Sequence, residues 1–423
     1  MSTLLAYLDG RFCGAVEQSR TGDLRFTYDE DYRSSPDATP LSLSMPLTFR
    51  DHRKRAILPF LEGLITDNEM ARRALATRYG VGPGSAFGLL SHIGRDVAGA
   101  LQLVKDSEVS SDRALPRGGQ EALSDGDVVI LLRAVIDEFR DGRPVPDALG
   151  RFSLAGAQPK IALLRTDAGS WARPVGSTPT THILKPVSSG YRRLDLVEYL
   201  TMRAAALLGL KVSHAELATM GPYRTFVVTR YDRVEDRGVW HRLHQEDLCQ
   251  ALSVMPSKKY QRDDGGPGIA KIAQLLQELP RIGDRTVAAE RFFEGLMFNV
   301  VVQGTDAHAK NYSLMLSGRS VEMAPLYDLA TFAPYASADV GAASAMKIGG
   351  EYDYRAIGEK ECLAAGKVLG IDGDRAVEII RHLRTGVAAA FENARDEIVD
   401  TDADTRDFAD EVVRAVARLP MVN

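Results

Sequence analysis

The chemistry in this sequence concentrates on three oxygen-bearing side chains that emerge from an apolar run. Val301-Val-Gln-Gly-Thr leads into Asp306, Asn311 follows after Ala-His-Ala-Lys, and Asp328 lies seventeen residues beyond Asn311. An aspartate and an asparagine at D-x-x-x-x-N spacing can divide phosphoryl transfer between them. The carboxylate orients an acceptor hydroxyl and takes its proton, and the neutral amide oxygen binds a metal. Such a reaction needs little covalent help from protein, but it does need a highly charged nucleotide clamped. Hard oxygen ligands for Mg²⁺ are therefore the expected chemistry, and a carboxylate with an amide fits it. Taken alone, the Asp306/Asn311 spacing also fits a polar loop capping the helix that ends near Gln303, since a chain of this length contains about one such pair by chance. The third acid and a strand-borne lysine upstream separate the two readings. His308 reads as a hydrogen-bonding loop residue rather than a metal ligand, because no H-E-x-x-H pattern or nearby second histidine accompanies it.

That lysine is Lys185, at the end of the apolar stretch His182-Ile-Leu-Lys185. There its ammonium would point into a cleft and neutralise nucleotide phosphates. The same position suits a lysine whose stem covers apolar surface while its head stays in water. Glu198, on the helix that follows, is placed either to pair with this lysine or to be an ordinary solvated helix carboxylate. Ser153-Leu-Ala-Gly-Ala-Gln-Pro-Lys160 offers small residues whose backbone N–H groups can wrap phosphate oxygens, although it matches neither GxGxxG nor the Walker pattern and also reads as a tight turn. Asp263-Asp-Gly-Gly-Pro-Gly268 precedes a helix, and its two acids favour a structural turn over an anion site.

The elements that must position these groups follow from periodicity. Short strands open the chain: Leu4 to Leu8, an Asp9-Gly10 hairpin turn, Phe12 to Val16, then alternating Leu24, Phe26 and Tyr28. Asn68 to Tyr79 is helical, and residues 105–127, rich in Gly, Ser, Asp and Pro, read as a surface connection. Strands recur at Ile161 to Leu164, His182 to Lys185 and Phe226 to Thr229. Beyond Glu246 nearly every periodic segment is helical: Asp247 to Leu252, Ile269 to Leu279, Thr286 to Val302 and Ala376 to Asp400.

Composition bounds what this machinery serves. At about 150 residues per domain, 423 residues make two or three packed units, with 45% hydrophobic and 26% charged residues in ordinary globular proportion. The net charge of -5 excludes a bulk basic surface for nucleic acid, though not a local patch. Cys13, Cys249 and Cys362 form no CxxC pair, so neither a disulfide scaffold nor a cysteine zinc site is expected, and a reducing cytoplasm fits. No apolar stretch approaches the ~18 residues needed to span a bilayer, and no secretory signal pattern is seen, so neither membrane insertion nor export is expected.

Six ordered segments together resemble the HipA family of bacterial serine/threonine kinase toxins. They are Ser153-Leu-Ala-Gly-Ala-Gln-Pro-Lys160, Thr180-Thr-His-Ile-Leu-Lys185-Pro, Gln245-Glu-Asp-Leu-Cys-Gln250, Asp263-Asp-Gly-Gly-Pro-Gly-Ile-Ala-Lys271, Gly304-Thr-Asp-Ala-His-Ala-Lys-Asn311 and Pro325-Leu-Tyr-Asp328. The resemblance implies an α+β, two-lobed protein-kinase-like fold. A β-rich N-terminal subdomain would take residues 1–120, the kinase N-lobe with its phosphate loop 121–235, and a mostly helical C-lobe 236–423.

It also implies ATP- and Mg²⁺-dependent phosphorylation of a protein Ser or Thr, with Asp306 as catalytic base and Asn311 and Asp328 as Mg²⁺ ligands. Lys185 would contact the nucleotide phosphates, and Ala155, Gly156, Ala157, Gln158 and Lys160 would form the phosphate loop. Thr229, Arg230 and Tyr231 would line the adenine pocket, with His308, Lys310 and Tyr327 completing the nucleotide side. Ser153 matches the family's autophosphorylated serine, whose phosphate of roughly -2 would repel the ATP triphosphate and silence the enzyme. Pro159 departs from the pattern and removes one backbone donor from the loop. The implied partners are a helix-turn-helix antitoxin that carries the kinase onto operator DNA, and a protein substrate, an aminoacyl-tRNA synthetase in characterised members. Two other readings share the same residues: a catalytically idle pseudokinase acting as a co-repressor subunit, and a small-molecule phosphotransferase.

Overall fold

The computed structural model describes residues 2–111, 113–143, 156, 158–187, 190–336, 341–398 and 402–422. Its contacts divide the chain into two compact units. One comprises Met1–Ser188, Ala218–Ser257 and Met315–Arg319; the other comprises Ser189–Leu217, Lys258–Leu314 and Ser320–Asn423. Helices and sheets occur together, in agreement with the α+β expectation. Among the described residues no helix is long and apolar enough to cross a membrane.

The first unit opens on an antiparallel sheet in the order Asp51–Arg53, Leu24–Tyr28, Arg11–Gln18, Ser2–Leu8, Leu101–Lys105. The turn expected at Asp9-Gly10 is present, with both residues in the left-handed region that a two-residue hairpin requires. Phe26, Val16 and Leu4 from the sheet pack on Ile57, Phe60 and Leu61 of the helix Lys54–Gly63 and on Leu89, Leu90 and Ile93 of the helix Ala86–Ile93. The predicted helix after Asn68 runs Glu69–Tyr79. Asn68 caps it by accepting the Ala71 N–H at 2.9 Å, and Gly80 ends it in the left-handed region.

A second antiparallel sheet places Tyr223–Thr229, His182–Pro186, Ile161–Arg165, Trp171–Val175 and Gly119–Ala122 side by side in that order. Ile161, Leu163, Leu184 and Val227 share a core with Val128, Leu131, Leu132 and Val135 of the helix Asp125–Asp141. Much of the presumed connection at 105–127 is therefore structured. Gly119–Ala122 is exposed at every position, so backbone pairing with Trp171–Val175 builds it and no hydrophobic alternation marks it. The helix that follows starts on a capping box in which Ser124 and Asp127 exchange hydrogen bonds.

The second unit is mostly helical. Gly373–Asp396 packs on both Leu194–Leu207 and Ile282–Val302, while Glu359–Leu369 and Ala403–Val416 flank it. The helix leading to the candidate loop begins at Ile282, a turn earlier than periodicity suggested, because Ile282 and Val287 lie exposed and break the apolar stripe. The Leu208 side chain packs directly onto the bare backbone at Gly386, where a Cβ would meet its Cδ2 at 2.6 Å.

Candidate active site

The loop carrying Asp306 is a product of how its helix ends. Gln303 takes a left-handed conformation (φ 54°) and closes Ile282–Val302, and the Gly304 N–H donates to the Asn299 carbonyl at 2.8 Å. A Cβ on Gly304 would collide with Asn299 Oδ1, so only glycine fits beneath that side chain. Tyr354 donates its hydroxyl to the Gly304 carbonyl at 2.8 Å, and Thr331 donates to the Val302 carbonyl at 2.5 Å. The chain then turns out to Asp306, whose side chain is 59% exposed.

Asn311 is locked relative to that aspartate. Its Nδ2 donates to the Asp306 carbonyl at 2.8 Å, which leaves the amide oxygen out of that bond. Asp306 also accepts the His308 N–H at 2.8 Å through its carbonyl, and Ala309–Asn311 forms a single 3-10 turn. Lys310 is buried, and its carbonyl accepts the Tyr327 hydroxyl at 2.9 Å; that hydroxyl also meets Ser313 Oγ at 2.6 Å. Tyr327 thereby ties the Asp328 segment to the Asp306 loop. The same segment is anchored on its other side to residues 211–213: the Leu326 N–H donates to the Lys211 carbonyl at 2.8 Å, and its carbonyl accepts the Ser213 N–H at 2.9 Å.

Asp328 itself sits at φ 57°, a conformation that costs a non-glycine residue about 1–3 kcal/mol. His308 is 2% exposed, and burial pushes its imidazole below its ordinary value despite the opposing pull of Asp306 and, more weakly, Asp328. At neutral pH it is an uncharged ring, with Nε2 standing 3.6 Å from Asp306 Oδ1. Asp306, His308, Lys310, Asn311, Tyr327 and Asp328 are thus gathered in one unit. Among the described residues no three His, Cys, Asp or Glu side chains cluster as metal ligands. A single carboxylate and an amide oxygen suit Mg²⁺, which takes few protein oxygens and completes its shell with water and phosphate.

The remaining expected residues lie in the other unit. Lys185 stands across the sheet from Phe226, its Nζ 5.6 Å from the ring centroid, and the neighbouring Leu184 is buried in the core beneath. Gly156 has φ 115°, and the Lys160 ammonium lies so close to it that a Cβ would overlap, so this glycine admits the lysine head onto the loop. The Gly156 carbonyl accepts the Thr66 hydroxyl at 3.1 Å and the Asp67 N–H at 3.3 Å. Gln158 is half-buried beside it. Ser153, Ala155 and Ala157 lie outside the described residues. Thr229 pairs with His182 at the strand end, and Tyr231 donates its hydroxyl to the Gln245 amide oxygen.

Arg230 is committed elsewhere. Its guanidinium meets Asp232 at 2.8 and 3.0 Å, Thr180 Oγ1 at 2.9 Å and the Val97 carbonyl at 2.8 Å, all buried. Arg233 and Arg242 join through Asp96 at 3.0 and 3.2 Å. Its side chain therefore serves this scaffold rather than a ligand. Tyr260 was not singled out from sequence, yet it donates its hydroxyl to Asp306 Oδ1 and packs edge-on against His308 with ring centroids 4.7 Å apart.

Residues 152–391 match the family described as HipA-like C-terminal domain, and residues 4–104 match the HipA N-terminal domain. The chain belongs to the HipA family. It is 35% identical to the Y4mE protein of Sinorhizobium fredii over 419 residues, 97% of this chain and 96% of that relative. The serine/threonine-protein kinase toxin HipA of Shewanella oneidensis is 30% identical over 366 residues, 84% of this chain and 80% of the toxin. Among solved structures, the complex of the Shewanella oneidensis MR-1 toxin–antitoxin proteins HipA and HipB with operator DNA contains a chain that matches at a TM-score of 0.82 and 24% identity, covering 98% of this chain and 97% of that one. This HipA-family chain accordingly has the kinase-like fold of HipA.

Proposed function

We propose that this chain is the ATP-dependent serine/threonine protein kinase of a toxin–antitoxin module. The observation that carries the reading is the joint placement of Asp306, the Asn311 amide and Asp328, held together by the Asn311 bond to the Asp306 carbonyl and the Tyr327 bond to the Lys310 carbonyl. In the reaction the acceptor oxygen attacks the γ-phosphorus of ATP, the bond to the bridging β–γ oxygen breaks, ADP leaves, and Asp306 takes the hydroxyl proton. Asn311 and Asp328 would hold Mg²⁺. When bound, the ion neutralises charge on the transferring phosphate. Lys185 and Lys160 add positive charge on the nucleotide side, Gly156 and its neighbours wrap phosphate oxygens with backbone, and Thr229 and Tyr231 line the base, with the Arg230 side chain turned to its own buried network.

The finer assignments rest on family likeness. The acceptor is a protein Ser or Thr, on an aminoacyl-tRNA synthetase, and its modification stops translation and growth in the cytoplasm. Phosphorylation of Ser153 by the enzyme itself silences it. A helix-turn-helix antitoxin binds the chain and provides the DNA contacts, in keeping with the net charge of -5. The deciding experiment incubates the protein with Mg²⁺ and γ-labelled ATP, then with a panel of bacterial aminoacyl-tRNA synthetases. Wild type should incorporate label and transfer it to one of them, and Asp306→Gln and Asp328→Gln should fall at least a thousandfold. A wild-type protein that labels neither itself nor any acceptor would refute the proposal.

A further inference from the structure

The glycine-rich segment that reads as a turn in sequence has its purpose in what it aims. Tyr260 caps the short helix Gln261–Asp264, Gly265 reverses the chain at φ 68°, and the Gly266 N–H returns to the Tyr260 carbonyl at 2.9 Å. A Cβ on Gly266 would collide with the Lys258 carbonyl, so the reversal closes only with glycine there. Gly268 is pressed against the Gln261 amide, whose Oε1 accepts the Lys347 N–H at 2.8 Å and anchors the segment to the strand Ala343–Ile348. The closed loop delivers the Tyr260 hydroxyl to Asp306 Oδ1 across 46 residues of sequence, with the ring braced edge-on by buried His308. His308 Nε2 faces the same Oδ1. Two groups thus converge on one carboxylate oxygen of an otherwise exposed side chain.

We propose that Tyr260 is a positioning residue for the phosphoryl-transfer reaction: its hydroxyl holds Oδ1 of Asp306 so that Oδ2 is presented to the acceptor. The inference rests on Asp306 being the base. An exposed aspartate has free rotation about both of its side-chain torsions, and a base must be held within a few tenths of an ångström to act, so a single donated hydrogen bond to the carboxylate selects one rotamer. The Asp-Asp-Gly-Gly-Pro-Gly stretch then shapes catalysis without binding an anion.

The test uses the full chain and measures the rate of self-labelling against Mg·ATP concentration. Tyr260→Phe keeps the ring on His308 and removes only the hydroxyl. It should lower the maximal rate about tenfold with half-saturating ATP unchanged, the signature of lost orientation rather than lost binding. In an Asp306→Asn background the same change should have no further effect, because the tyrosine acts only through that side chain. Gly266→Ala should reproduce the loss by shifting the loop. A Tyr260→Phe protein at the wild-type rate, an effect confined to ATP concentration, an undiminished effect in the Asp306→Asn background, or phosphate found on Tyr260 itself would each overturn the proposal. If wild type incorporates no label, the kinase reading fails. The contact is then judged by the ¹³Cζ resonance of labelled Tyr260, which must shift in Asp306→Asn; an unmoved resonance shows the hydroxyl is not bound there.

Discussion

Asp96 is the residue whose neutralisation should cost this protein most stability outside the apolar core. It accepts the Thr180 hydroxyl at 2.6 Å and the Thr180 N–H at 3.0 Å, Arg233 at 3.0 Å and Arg242 at 3.2 Å, with Arg230 at 3.6 Å. In Asp96→Asn, the buried guanidiniums of Arg230 and Arg233 keep the carboxylate of Asp232, while that of Arg242 loses the carboxylate it pairs with and keeps the Ser177 carbonyl. Breaking a buried pair from one side costs about 3–5 kcal/mol, because the orphaned charge stays desolvated. For a unit of this size that is roughly 6–20 °C of melting temperature. Urea unfolding followed by tryptophan fluorescence reads the effect directly, since Trp171 and Trp240 both belong to the unit that holds the network. The midpoint should fall with an unchanged slope, and 0.5 M salt should not restore it, as buried pairs are poorly screened. Adding Arg242→Met should recover part of the loss by removing the surplus charge. Burial opposes ionisation of Asp96, but Arg233, Arg230 and Arg242 together hold its carboxyl well below the usual range. Its contribution is therefore present above about pH 4 and fades as pH falls toward the depressed folded value, so wild type and Asp96→Asn should converge in acid. An Asp96→Asn midpoint within about 1 kcal/mol of wild type at pH 7, or full rescue by salt, refutes this account.

Two further outcomes follow from single residues. Burial pushes Glu246 up to about 8 from an ordinary 4.5, against the pull of the Leu43 N–H and the Ser42 hydroxyl. Its folded value is raised, so the stability it contributes is complete below about pH 4.5 and is lost as pH climbs toward 8, with a slope of up to about 1.4 kcal/mol per pH unit. Glu246→Gln should flatten that decline in pH-dependent unfolding curves; an unchanged slope contradicts it. Asp328→Gly removes a side chain from a left-handed position, so it should hold or raise stability by up to about 1 kcal/mol while abolishing label transfer, and a clear loss of stability would show that the backbone there is unstrained.

The parts of the site written in one stretch of chain were legible beforehand. Asp306, Asn311 and Asp328 stand out as candidates once the third acid and the upstream lysine are read with the spacing, and the helix ahead of them stands out by its period. What spacing cannot show is a partner that arrives from elsewhere. Tyr260 reaches Asp306 across 46 residues, and the Arg230 guanidinium is held by Thr180 and the Val97 carbonyl as well as by nearby Asp232, and no local pattern connects it to the first two. The same limit explains the strand Gly119–Ala122: four exposed residues carry no apolar signal, and only the neighbouring strand makes them regular. The hairpin at Asp9-Gly10 and the helix after Asn68 were legible because their turn and cap chemistry is local.

The hold that Thr66 and Asp67 take on the Gly156 carbonyl makes the amino-terminal sheet and its helices more than an appendage. Two hydrogen bonds of about 1 kcal/mol each are strong enough to bias a glycine's conformation and weak enough to be undone by any molecule that leans on residues 66–67. Under the kinase proposal above, a binder with no access to the nucleotide would adjust how tightly the Gly156 loop holds phosphate, and grafting a foreign amino-terminal module onto this chain would retune that hold as well.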